Sequence, residues 1–102
     1  KWMKQQAAQT GAVVTGSYIV KEKNAFYNRL LWMQPDGNFA FYDKKHLFHP
    51  AGEHLAYQAG TTRQIVTWRG FRFCLLICYD LRFPVWSRNR WQNQQADYDC
   101  LV

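Results

Sequence analysis

The stretch Phe71-Arg72-Phe73-Cys74-Leu75-Leu76-Ile77-Cys78-Tyr79-Asp80-Leu81-Arg82-Phe83-Pro84 decides the fold class. Phe71 to Cys78 is largely apolar and strand-sized, too short for a membrane span. Leu81-Arg82-Phe83-Pro84 then opens a helix, because proline is tolerated in a first turn whose N–H groups have no intrahelical partner. The pattern carries that helix to about Trp91, and Ala96 to Val102 returns to strand. Strand, tight turn, helix and strand form a βαβ unit, so the chain reads as a continuous piece of an α/β domain with α+β-like layers, or of an α+β domain.

Working outward, Gln64 to Trp68 is a second strand, joined to Phe71–Cys78 through Arg69-Gly70 in a hairpin. Before it, Lys44 to Gly60 reads as a loop holding Pro50, Gly52 and the three histidines His46, His49 and His54. Three β-rich runs precede the loop: Ala12–Val20, Phe26–Gln34 and Phe39–Asp43. Their connections, Lys21 to Asn24 and Pro35-Asp36-Gly37-Asn38, are turn sequences, so the runs make an antiparallel meander. Met3 to Thr10 suits a helix stopped by Gly11.

The chain has 102 residues, 48% of them hydrophobic and 20% charged, which excludes disordered, collagenous and membrane-spanning classes. Aromatics reach 18%, more than so short a chain buries alone, and the ends read as strand and helix cut mid-run. The expectation is therefore a single incomplete domain over residues 1–102, an internal piece of a longer polypeptide. The net charge of +6 is scattered, with no block of like charges, and carries little weight. Three cysteines, an odd number, argue against a disulfide framework and for reduced thiols in the cytoplasm. Neither end has the pattern of a signal or transit peptide.

Position alone gives Cys78 two readings. A thiol where a strand turns into a helix is exposed and close to free amides that favour the thiolate; a free cysteine is also commonly a small core residue. Cys74 and Cys100 read as core. Lys44, at the end of the meander, is either a solvated lysine or an ammonium that stabilises a thiolate and an oxyanion. The three histidines suggest zinc, but Pro50 and Gly52 break any regular face that would hold ligands. A basic module stacking bases on strand aromatics is a further alternative.

Two segments together carry a resemblance. Tyr42-Asp43-Lys44-Lys45-His46-Leu47-Phe48 and Cys74 to Pro84 resemble the K-x-H-L-F segment and the I-C-Y-D-L-R-F-P nucleophile elbow of the nitrilase superfamily of carbon–nitrogen hydrolases. Gly52-Glu53-His54, Ser87 to Arg90 and Tyr98-Asp99 are similar to its omega-amidase branch. The resemblance implies an α-β-β-α sandwich and a Glu-Lys-Cys triad. It assigns Cys78 as nucleophile, Lys44 as the lysine within a few ångströms of its sulfur, and Glu53 as an additional glutamate that positions substrate and lysine. The backbone N–H of Tyr79 joins Lys44 in holding the oxyanion. The general-base glutamate is expected before the beginning of these residues, and Glu22, between strands, is no substitute. Without that base the 102 residues alone are expected to be inactive. The implied activity is hydrolysis of non-peptide amides through a cysteine thioester, on monoamides of dicarboxylic acids such as 2-oxoglutaramate or 2-oxosuccinamate. A nitrilase or carbamoyl-amide hydrolase is the nearest competitor. The same resemblance implies no cofactor or metal, a small-molecule amide as partner rather than nucleic acid or membrane, and a cytoplasmic homodimer. Those aromatics are then core.

Overall fold

A computed structural model describes residues 1–102. Helix α1, Trp2–Thr10, ends as expected at Gly11, which takes φ 67° and donates its N–H to Ala7 O. Strands β1 (Val14–Glu22), β2 (Ala25–Met33) and β3 (Phe39–Asp43) form the antiparallel meander. Val14 pairs with Met33 and Glu22 with Ala25, so the first turn shrinks to Lys23-Asn24, both at positive φ. That is the backbone a two-residue hairpin needs to match strand twist. Glu22 is consequently the last residue of β1 rather than part of a turn.

The expected loop from Lys44 to Gly60 contains two short helical pieces, a 3-10 turn at His49–Ala51 and helix α2 at Glu53–Ala56. Strands β4 (Gln64–Trp68) and β5 (Phe71–Leu75) then pair about Arg69-Gly70. Strand β5 stops short of Cys78, and a 3-10 turn covers Cys78–Arg82. Helix α3 is a single turn, Pro84–Ser87, and does not run to Trp91. Two interactions end it. The Arg63 guanidinium donates to Trp86 O and Arg88 O, taking up carbonyls at the helix end, and Asn89 Oδ1 accepts the Asp97 N–H at 2.8 Å. Between them, β6 (Trp91–Gln92) and β7 (Gln95–Ala96) form a small hairpin turning on Asn93-Gln94 at positive φ. Strand β8 (Cys100–Leu101) lies parallel to β5 and closes the βαβ unit.

The meander and the β4-β5-β8 sheet share one core of Leu30, Trp32, Tyr42, Val66, Leu75 and Ile77. Burying each large apolar side chain contributes roughly 1.5–3 kcal/mol, so this cluster fixes how the sheets lie. Cys74, Leu76 and Tyr98 form a second cluster. Strand periodicity divides the aromatics: Tyr42 points inward, whereas Phe39 and Phe41 point outward and remain exposed, as do Tyr18 and Phe26. The expectation that the strand aromatics are core therefore holds on one face only. No helix is long and apolar enough to cross a membrane. The fold is a mixed α/β arrangement of stacked sheets with helices at their margins.

Candidate active site

Lys44 extends β3 by one residue, and the sheet fixes its backbone on both sides. Its N–H donates to Asn28 O at 2.9 Å and its carbonyl accepts the Gly60 N–H at 2.8 Å. Gly60 permits this approach because a Cβ there would lie 2.2 Å from Asp43 O. The Lys44 side chain is only 3% exposed, and its ammonium stands 2.8 Å from Glu53 Oε1 and 3.2 Å from Oε2. A buried ammonium without a carboxylate is strongly destabilising, so Glu53 is a structural requirement of Lys44 as well as a neighbour. Glu53 Oε1 also accepts the Phe48 N–H at 3.1 Å.

Cys78 opens the 3-10 turn after β5 and is exposed. Its φ is +46°, a left-handed conformation that costs a non-glycine residue roughly 1–2 kcal/mol. Such strain persists where the surroundings over-determine it, as at a nucleophile elbow. Within the turn, Asp80 N–H bonds Ile77 O and Phe83 N–H bonds Asp80 O, while the Tyr79 N–H has no partner among the turn and loop bonds. Cys78 lines a cavity of about 490 Å³ with Phe48, Tyr79 and Arg82.

The two motifs interlock through Asp80, which is wholly buried. Its Oδ1 accepts the His46 backbone N–H at 2.8 Å and lies 2.9 Å from His46 Nδ1. Its Oδ2 accepts the Tyr42 hydroxyl at 2.7 Å and the Ile77 N–H at 3.1 Å. The Tyr42 oxygen in turn accepts from Trp86 Nε1 and from the Lys45 N–H. Burial and the Asp80 carboxylate push the Tyr42 phenol far above its ordinary range, so it stays a donor. Aromatic contacts follow the same path: His46 stacks on Phe83 at 3.8 Å, and Tyr79 meets both Phe83 and Phe48 edge to face. Asp80, Tyr42 and Trp86 are absent from the sequence-derived site. The available signal was one acid inside an otherwise apolar turn, facing a Tyr and a His supplied by a distant segment.

The structure thus brings Lys44 and Glu53 into direct contact. Cys78 makes no hydrogen bond to either and is linked to them through Phe48, whose N–H is held by Glu53 and whose side chain walls the Cys78 cavity. Glu22 is engaged with Arg29 at 3.1 Å, and Arg29 also grips Asp43 at 2.7 Å. Cys74 is fully buried, and burial raises its thiol above the ordinary range. Cys100 is partly buried in β8. The histidines disperse: His46 is spent on Asp80, while His49 and His54 stack on each other with ring centres 4.1 Å apart. No three His, Cys, Asp or Glu side chains converge to hold a metal.

Comparison with known proteins sets this arrangement in context. A relative named omega-amidase YafV, from Escherichia coli K12, is 52% identical over 99% of this chain. A 2-oxoglutaramate amidase of Bacillus subtilis is 36% identical over 85% of it. The chain spans 38% and 34% of the lengths of these two relatives. A crystal structure of a CN-hydrolase superfamily protein from Xanthomonas campestris, described with an arsenic adduct in its active site, superposes with a TM-score of 0.94. It is 47% identical and covers 98% of this chain, which covers 39% of it. The family model for carbon-nitrogen hydrolase matches residues 1–101, nearly end to end. With both motifs interlocked about Asp80 and the same backbone found in a CN-hydrolase, the chain belongs to the carbon–nitrogen hydrolase family.

Proposed function

We propose that this chain is part of one domain of an omega-amidase-type amidohydrolase. Its substrates are small monoamides of dicarboxylic acids, such as 2-oxoglutaramate or 2-oxosuccinamate. The observation that carries the reading is the clamp of Glu53 on the buried Lys44 ammonium and on Phe48, a wall of the Cys78 cavity. The printed names of the relatives, omega-amidase and 2-oxoglutaramate amidase, support the substrate class.

In this reading the Cys78 thiolate attacks the amide carbonyl carbon, forming a C–S bond and a tetrahedral oxyanion. Lys44 and the Tyr79 N–H stabilise that charge where it develops. Glu53 is a positioning residue that holds the ammonium. Breaking the C–N bond releases ammonia, whose nitrogen takes the proton removed from the thiol, and leaves a thioester. Water then attacks the thioester carbon, the C–S bond breaks, and the thiol recovers its proton as the acid departs. The family resemblance assigns these proton transfers to a glutamate earlier in the polypeptide than Lys44. Glu22, bound to Arg29, does not serve. The same reading makes the protein a cytoplasmic homodimer that requires no cofactor.

The test is a chimera in which residues 1–101 replace the matching segment of the Escherichia coli relative. It should release ammonia from 2-oxoglutaramate, and Cys78→Ala should lose that activity by roughly 10⁴-fold or more. Turnover that survives Cys78→Ala would refute the assignment.

A further inference from the structure

Three charged side chains are buried: Arg29, Lys44 and Asp80. Lys44 and Asp80 belong to the site, whereas the mechanism leaves Arg29 without a part. Replacing a buried ion pair by apolar residues of similar volume is often neutral or stabilising, so stability alone does not account for an arginine here.

Arg29 sits opposite Asp43, the residue before Lys44, in the terminal pair of the β2–β3 ladder. Its fork is bidentate: Nε donates to Asp43 Oδ1 at 2.7 Å and Nη2 to Oδ2 at 3.0 Å. Nη2 also donates to Glu22 Oε2 at 3.1 Å, and the guanidinium carbon lies 4.0 Å from the centre of the Phe41 ring. One side chain of β2 therefore ties down the last residues of β1 and β3. Successive strand side chains point to opposite faces, so gripping Asp43 on the outer face sends Lys44 to the inner one. At the far end of the lysine side chain, Glu53 holds the ammonium. Lys44 is thus fixed at both ends, and the main-chain end is anchored next door by Arg29.

We infer that Arg29 is a positioning residue for Lys44: its fork on Asp43 fixes the end of β3 and so aims the ammonium at the place where the oxyanion forms. This rests on the amidase reading, in which that charge develops only in the transition state. An interaction made only there is lost from kcat rather than from KM.

The test uses the chimera. Arg29→Lys keeps the charge and removes the planar fork. For succinamate, kcat should fall roughly tenfold to a hundredfold, the cost of a displacement of about 1 Å in a catalytic group. KM should stay within about twofold. The Lys44 N–H, bonded to Asn28 O, and the Gly60 N–H, bonded to Lys44 O, should lose about tenfold or more of their protection from hydrogen exchange, while the amides of β4 and β5 keep theirs. Arg72→Lys removes a comparable fork, on Asp99 in the other sheet, and should leave kcat within about twofold.

A folded Arg29→Lys variant with unchanged kcat, or with its loss in KM alone, overturns the inference. So does an equal fall of kcat in Arg72→Lys, or unchanged exchange at Lys44. If Arg29→Lys does not fold, Asp43→Asn, which keeps the volume and weakens the fork from the other side, decides by the same readings. If the parent chimera hydrolyses no monoamide, the amidase reading fails, while exchange at Lys44 still decides whether Arg29 holds it.

Discussion

Replacing Asp80 by Asn changes one atom of a wholly buried side chain, and the structure allows the cost to be worked out. Oδ1 faces two His46 donors, and Oδ2 faces the Tyr42 hydroxyl and the Ile77 N–H. Either orientation of the new amide sets its NH₂ against one of these pairs. Against His46, the ring can change tautomer and accept, but the backbone N–H is orphaned. Against Tyr42, the oxygen already accepts from Trp86 and Lys45, so the hydroxyl and the Ile77 N–H are both orphaned and the His46 orientation is the cheaper one. One buried unsatisfied donor costs about 2 kcal/mol, and each of the two surviving bonds loses about 1 kcal/mol on becoming neutral. The sum is about 4 kcal/mol. With a urea m-value of about 1.5 kcal/mol/M for a chain of this size, the unfolding midpoint should fall by about 2.7 M. Asp36→Asn, in the exposed β2–β3 turn where Asp36 accepts the Asn38 N–H, should shift it by less than about 0.5 M. A midpoint for Asp80→Asn that moves no more than that of Asp36→Asn would refute the view that Asp80 locks the two motifs together.

Gly60→Ala should destabilise by about 3 kcal/mol or more, since its Cβ meets the Asp43 backbone rather than a movable side chain. Thermal unfolding of this variant beside Gly11→Ala, which meets nothing within 4 Å and bears only the strain of φ 67°, separates crowding from backbone strain. The Asp99 carboxyl is held below the ordinary aspartate range by hydrogen bonds from Arg72. Its folded value lies below its unfolded one, so the stabilisation is present above the unfolded value and is lost as pH falls through the folded one. Asp99→Asn should therefore flatten part of the acid limb of a stability–pH profile and leave the alkaline limb unchanged. Alkylation of the folded protein should rank Cys78 first and Cys74 last, because one thiol is exposed and the other is wholly buried with its ionisation suppressed. Faster labelling of Cys74 would contradict both statements.

The strands were legible because their signals are local. Turn residues such as Pro35 to Asn38 and Arg69-Gly70 bracket runs of strand length, and no distant contact overrides them. The parallel return to β5 was legible only in part: of the expected strand Ala96 to Val102, Ala96 pairs in β7 and only Cys100–Leu101 lies beside β5. The helix after Pro84 was overextended because its end is decided elsewhere, by Arg63 from before β4 and by Asn89 reaching the segment ahead of β8. The hairpin at Asn93-Gln94 was hidden because glutamine is an unusual occupant of positive φ. Lys44, Glu53 and Cys78 were singled out by motif. What motif reading does not supply is the coupling: four donors from two segments meet at Asp80, and a carboxylate in an apolar turn says only that it needs partners, not which ones.

The left-handed backbone at Cys78 also sets two selective pressures against each other. Glycine or asparagine would occupy φ +46° with less strain, by roughly 1 kcal/mol. A randomised library at position 78 screened only for folded protein should drift toward those residues within a few rounds, whereas a screen for turnover in the chimera should return cysteine. On the proposed nucleophile role, the thiol stands against the preference of its own peptide unit, and a lineage released from that role would be expected to change here before it changes in the core.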